Sequence, residues 1–126
     1  MTSIQAETAT APDPRAVLSK AVTRSAERLD ISKALLVRVL GVSASTVTRL
    51  FAGNYRLEPS RKEWEFALLF VRMFRLLDSI VGSEGTARQW LASDNLGLNA
   101  RPVDLIGNPE GLVRVVLYLD AARGQV

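Results

Sequence analysis

Two short stretches, "KALLVRVL" and "ASTVTRLFA", each stand between a serine and a glycine, and this punctuation constrains the fold more than any other feature of the chain. A serine ahead of an apolar run accepts a hydrogen bond from the free N–H groups of a helix start, and a glycine just past the run takes the left-handed conformation that ends a helix. Ser32 and Gly41 therefore bracket a helix over Lys33 to Leu40, and Ser43 and Gly53 bracket a second over Ala44 to Ala52. Helices this short are marginal in water and must lean on neighbours. With only Gly41-Val42-Ser43 between them, the two meet at a tight turn.

The same reading extends along the 126 residues and predicts an all-α fold, with no alternating run bounded by turn residues. Residues 1–14, "MTSIQAETATAPDP", read as a disordered tail closed by Pro14. A first helix is expected from about Ala16 to Leu29, with Val17, Leu18, Ala21, Val22, Ser25 and Leu29 inward, broken at Asp30 and Ile31. The helix after Ser32 turns Leu36, Val37 and Leu40 inward. The longest helix, about Lys62 to Val81, presents Leu68, Leu69, Val71, Phe74, Leu77 and Ile80. Ser83 caps Glu84 to Leu91, an irregular stretch follows, and Asn108 with Pro109 starts a last helix over Glu110 to Arg123. That helix buries Leu112, Val113, Val116, Leu117 and Leu119 or a subset of them, and Gly124 ends it.

Composition narrows the chemistry. There is no cysteine and no histidine, so disulfides, thiolate metal sites and His-based acid–base catalysis are unavailable. Glu63 and Glu65, two apart on a helix, do not converge, so no catalytic, metal or cofactor site is assigned. Neither a cationic leader nor an apolar stretch near the ~18–20 residues of a membrane span is present, and a cytoplasmic protein is expected. The net charge of +3 is uneven: ten basic residues face five acidic ones up to Lys62, and six face eight after it. A basic front half suits a polyanion, although scatter over two solvated surfaces produces the same count.

A tight turn between two helices, the second with a solvated outer face, is the geometry of a helix-turn-helix that enters the major groove of DNA. Val42 is expected to plug the corner, Ala34 to allow close approach, Val37 and Leu40 to meet the partner helix, and Val47 and Leu50 to pin the second helix. Ser43, Ala44, Ser45, Thr46, Thr48 and Arg49 are left at its start and outer face, with Thr46 leaning toward the turn. Small polar residues there let the backbone approach, the helix dipole favours a phosphate, and Arg49 reaches a guanine edge or a phosphate. Arg56, with Lys33, Arg38, Arg61 and Lys62, forms a set of phosphate clamps that add affinity without sequence choice. The competing reading is an ordinary capped surface helix.

A lone DNA-reading domain leaves the back half unexplained. The run "WLASDNLGLNARPVDLIGNPEGLVRVVLYLDAARGQV" resembles the C-terminal toxin-binding region of Xre/MbcA/ParS-type antitoxins through Trp90, Leu91, Asn95, Leu98, Pro102, Asp104, Leu105, Gly111, Val115, Leu119 and Gly124. The front half, "LLVRVLGVSASTVTRLFAGNYR", is similar to the Xre-like helix-turn-helix of the same family, so the likeness runs from about residue 16 to the end. One departure is Asn99-Ala100, where many relatives carry two glycines.

The resemblance implies a helix-turn-helix domain over 15–60 and a helical toxin-binding and oligomerisation domain over 61–126. It implies a RES-domain toxin as partner, an enzyme that consumes NAD by degrading it or by transferring its ADP-ribose. The antitoxin would cover the toxin's cleft with Asn95, Leu98, Pro102, Tyr118, Arg123, Gly124, Gln125 and Val126, the last residues blocking access. Val103 and Leu105 join Leu98 and Tyr118 as candidate apolar anchors, while Leu105, Trp90 and Leu119 suit the core better than an interface, and Asp104 suits a cap on the "DLIG" turn better than a partner contact. The front half would bind operator DNA of its own promoter, as a homodimer within a hetero-oligomeric complex. The alternative is a stand-alone helix-turn-helix regulator whose back half only dimerises.

Overall fold

Most helix starts in this chain are set by a side chain one residue outside the helix. In the computed structural model, which describes residues 11–124, Asp13 Oδ1 accepts from the Arg15 N–H at 3.0 Å and starts α1 (Pro14–Arg28) two residues before the expected Ala16. Residues 1–10 of the expected tail lie outside the described residues. Ser32 Oγ accepts from Leu35 N–H at 3.0 Å to start α2 (Lys33–Leu40), and Ser43 Oγ from Thr46 N–H at 3.1 Å to start α3 (Ala44–Ala52). Next come α4 (Lys62–Val81), α5 (Glu84–Ala92) with Ser83 as its cap, α6 (Pro102–Leu105) and α7 (Pro109–Arg123), which Asn108 caps through the Gly111 N–H at 2.8 Å. Among the described residues there are seven helices and no strand, with one isolated bridge between Asn95 and Ala100.

The ends are as local as the starts. Gly41 sits at φ +71° and closes α2 by donating its N–H to Val37, as a left-handed terminus requires. At the end of α1 the left-handed position falls to Asp30 (φ +56°), with Ile31 N–H bonding back to Ala26 at 2.8 Å and its side chain buried.

α4 is the strut of the molecule: α1, α2, α5 and α7 all pack on it, and one apolar core runs through both halves. Its buried face is Ala67, Phe70, Val71, Met73, Leu76 and Leu77, not the expected Leu68, Leu69, Phe74 and Ile80, of which Leu68 is 45% exposed. A helix this apolar has no single stripe, so its neighbours choose the face. The same holds for α7, where Val115 is buried while Val113 and Leu117 stay exposed, and for α1, where Val17 is exposed while Ser19 and Ala26 are buried. In α2, Val39 is buried in place of Val37, and Ala34 is exposed, so no close approach occurs there. Ser19 earns its buried place by two hydrogen bonds, donating to Arg15 O at 2.6 Å and accepting from Leu57 N–H at 2.9 Å, which pins the linker after α3 onto α1.

Candidate functional site

α2 and α3 turn by 109° about Gly41, within the range of helix-turn-helix corners. Val47 and Leu50 are buried and seat α3, while Val42 is half-buried at the corner. Ser43, Ala44, Ser45, Thr48 and Arg49 are exposed, and Thr46 is half-buried, leaning toward the turn. Several of these polar groups are already engaged. Ser43 Oγ lies 3.1 Å from Ser45 Oγ and 2.8 Å from Thr46 Oγ1, and Thr48 Oγ1 donates to Ala44 O at 3.1 Å.

Arg49 is held by its surroundings. Its guanidinium stacks over the Tyr55 ring at 5.5 Å and donates to Thr46 Oγ1 at 3.4 Å. The Tyr55 hydroxyl in turn donates to Glu63, a buried carboxylate at the start of α4 that also accepts from Glu58 N–H at 3.0 Å. Partial burial first, then the hydrogen bond and negative charge of Glu63, push the Tyr55 phenol up to about 12, so it is a donor at neutral pH. Arg49, Tyr55, Arg61 and Glu63 line one polar concavity with Ser43 and Thr46. Sequence reasoning missed Tyr55 and weighed Glu63 only as a catalytic carboxylate, because their contact depends on the path of the linker.

The expected phosphate clamps differ in their freedom. Arg56 pairs with Asp13 at 2.8 Å, and that carboxyl is held below its usual range, chiefly by the Arg15 backbone N–H and then by Arg15 and Arg56. Lys33 sits over the Phe51 ring at 5.1 Å, and the Arg38 guanidinium packs against Gly107 in the back half. Arg61 and Lys62 are exposed at the start of α4.

The second surface is built by the segment from α5 to α6 against α7. Asn95 is half-buried, and its Oδ1 accepts from Leu98 N–H at 3.0 Å. Leu98 and Pro102 are buried, so they support this loop from within. Asn99 stands at φ +55°, a conformation that glycine takes readily and asparagine tolerates. Tyr118 is half-buried and stacked on Trp90 with ring centroids 6.2 Å apart. Asp104 caps nothing; its carboxylate takes a bidentate pair from Arg101 at 2.8 and 3.0 Å, which raises the Arg101 pKa. Arg123 is exposed at the end of α7, and Gly124 continues at φ −67° instead of turning left-handed. Gln125 and Val126 lie outside the described residues.

Both surfaces have counterparts among known proteins. Residues 9–72 match the antitoxin Xre-like helix-turn-helix domain, and residues 76–124 match the antitoxin Xre/MbcA/ParS C-terminal toxin-binding domain. The chain belongs to the Xre/MbcA/ParS antitoxins. The antitoxin also superposes on a chain in the crystal structure of the M. tuberculosis MbcT-MbcA toxin-antitoxin complex, with a TM-score of 0.63 at 25% identity, covering 87% of this chain and 96% of that one. No curated protein sequence matches it significantly. The two matched segments meet inside α4, so the strut is shared by the helix-turn-helix and toxin-binding halves of the antitoxin.

A cognate toxin is thus its partner. Among the described residues no group of acidic side chains is placed to hold a metal ion, and no single helix is long and apolar enough to cross a membrane.

Proposed function

We propose that this antitoxin neutralises a RES-domain toxin by covering its NAD-consuming cleft, and that it represses its own operon by binding operator DNA. In this reading residues 61–126 bind the toxin and residues 15–60 bind DNA. Asn95, Leu98 and Pro102 shape the loop that meets the toxin, Tyr118 flanks it, and Arg123 with Gly124, Gln125 and Val126 enters the cleft. The observation that carries the reading is the toxin-binding match over 76–124, which ends where Arg123 stands exposed at the tip of α7.

The guanidinium of Arg123 suits the carboxylates and phosphate-binding groups of a nucleotide site, because it offers a planar fork of donors. On the other half, Ser43, Ala44, Ser45, Thr46 and Thr48 bring the backbone of α3 close to a groove, and Arg49 and Arg56 supply the long cationic contacts. One long side chain on the outer face of α3 reads few bases, so a homodimer that places two copies on successive half-sites supplies the missing specificity, within a hetero-oligomeric complex with the toxin. The antitoxin itself catalyses nothing and works in the cytoplasm beside its toxin.

The test is NAD consumption by the product of the adjacent reading frame, alone and with an equimolar amount of the antitoxin. The expected result is near-complete loss of activity together with co-purification. A neighbour that consumes no NAD, or that stays fully active with the antitoxin present, would overturn the neutralisation reading.

A further inference from the structure

The two leucines of the loop between α5 and α6 face opposite ways. Leu98 is 2% exposed, whereas Leu96, two residues before it, is 100% exposed. Single apolar side chains are common on protein surfaces, so exposure alone says little. What distinguishes Leu96 is how much structure holds it in the open.

The neck of the loop is closed by two backbone hydrogen bonds between Asn95 and Ala100, at 3.0 and 3.3 Å. Inside it, Asn95 Oδ1 accepts from Leu98 N–H, and Asn99 takes the left-handed conformation that lets so short a loop return. From α7, Arg114 Nη2 donates to Leu98 O at 2.6 Å. Gly97 lies against the Tyr118 ring so closely that a Cβ there would stand 2.5 Å from Tyr118 Cε1, and Tyr118 is itself stacked on Trp90. Every residue around the tip is tied to something behind it. A side chain presented on such a frame loses little backbone entropy when a partner covers it, which is the condition for an efficient anchor.

The neighbouring surface continues the apolar character. Arg114 and Tyr118, one turn apart on α7, face the loop, and Leu117, three residues beyond Arg114, adjoins that arginine on the helix and is 62% exposed. The whole patch falls within residues 76–124, the segment matched by the toxin-binding domain. Tyrosine and arginine are enriched at interface centres, and an aliphatic anchor seated in a pocket within a polar rim completes such a centre.

We propose that Leu96 is a preformed anchor by which the antitoxin fills an apolar pocket on its cognate toxin, with Leu117 and Tyr118 packed at its flank. The inference rests on the reading that residues 76–124 bind the toxin, and it adds a contact residue set apart from the Arg123 end of the chain. Because Leu96 touches no core residue, its substitution leaves the fold intact.

The experiment titrates the full-length antitoxin, as wild type, Leu96→Ala and Leu96→Asp, against the purified product of the adjacent reading frame by calorimetry. Light scattering and thermal melts of each variant alone accompany it. Leu96→Ala is expected to weaken binding about tenfold or more and Leu96→Asp about a hundredfold or more, with melting unchanged. Wild-type affinity in Leu96→Asp would overturn the anchor and leave the toxin-binding reading standing. Loss of self-association in Leu96→Asp with unchanged toxin affinity would overturn it in favour of a second copy as the occupant. A wild-type chain that fails to bind the neighbour would overturn the toxin-binding reading and the anchor with it.

Discussion

A methyl group added at Gly111 would stand 1.8 Å from the carbonyl oxygen of Leu105, backbone against backbone. No rotamer change relieves that contact, so α6 would have to lift off the start of α7. Gly111→Ala should therefore cost about 3 kcal/mol, read as a lowered midpoint in urea, and should weaken toxin binding because α6 and the loop before it move together. An unchanged midpoint would mean that α6 adjusts freely and positions nothing. Gly111 was legible in the sequence as part of a family pattern, but its reason was not, since the pattern does not say what lies opposite. The reverse holds at Asn99, where the departure from glycine is explained by one dihedral angle: φ +55° is a conformation that asparagine reaches at modest cost. Leu96 carried no sequence signal at all. An exposed and a buried leucine two positions apart look alike until the loop between them is closed.

At the scale of elements, the two ends of the antitoxin should be separable. Arg49 lies on α3 and Arg123 at the tip of α7, and α7 packs chiefly on α4 and not on α3. Arg49→Ala should weaken operator binding about tenfold, as loss of one arginine contact does, and leave inhibition of the toxin unchanged. Deletion of residues 123–126 should do the opposite, abolishing inhibition while gel-shift affinity is kept; full inhibition by that truncation would remove the cleft-blocking role from the C-terminal end. The limits of these elements were legible because they depend on residues adjacent in sequence: Ser32, Ser43, Ser83 and Asn108 each cap the helix that follows them. Their buried faces were less so. Periodicity named Leu77 and Val71 correctly on α4 but missed Phe70 and Met73, because a helix with apolar residues nearly all round leaves its phase to the helices that pack on it.

For the molecule as a whole, α4 decides what can fold. It packs on α1 and α2 in front and on α5 and α7 behind, and Phe70, Met73 and Leu77 are fully buried between them. A fragment ending at residue 60 keeps the three helices before α4 but loses the surface they close on. It should show little helix by circular dichroism, whereas a cooperative melt in that fragment would show α4 to be dispensable there. The sequence by itself determined the helical class, the limits of six helices to within two residues and the tight corner at Gly41, which follow from short-range capping and turn rules, but it left the short α6 inside a stretch expected to be irregular. It did not determine that Glu63 would turn inward to hold Tyr55 beneath Arg49, that Leu98 would be buried while Leu96 stands open, or that one core would run through both halves. Those were settled by contacts between residues far apart in the chain, and local rules carry no information about which distant surface will arrive opposite a given side chain.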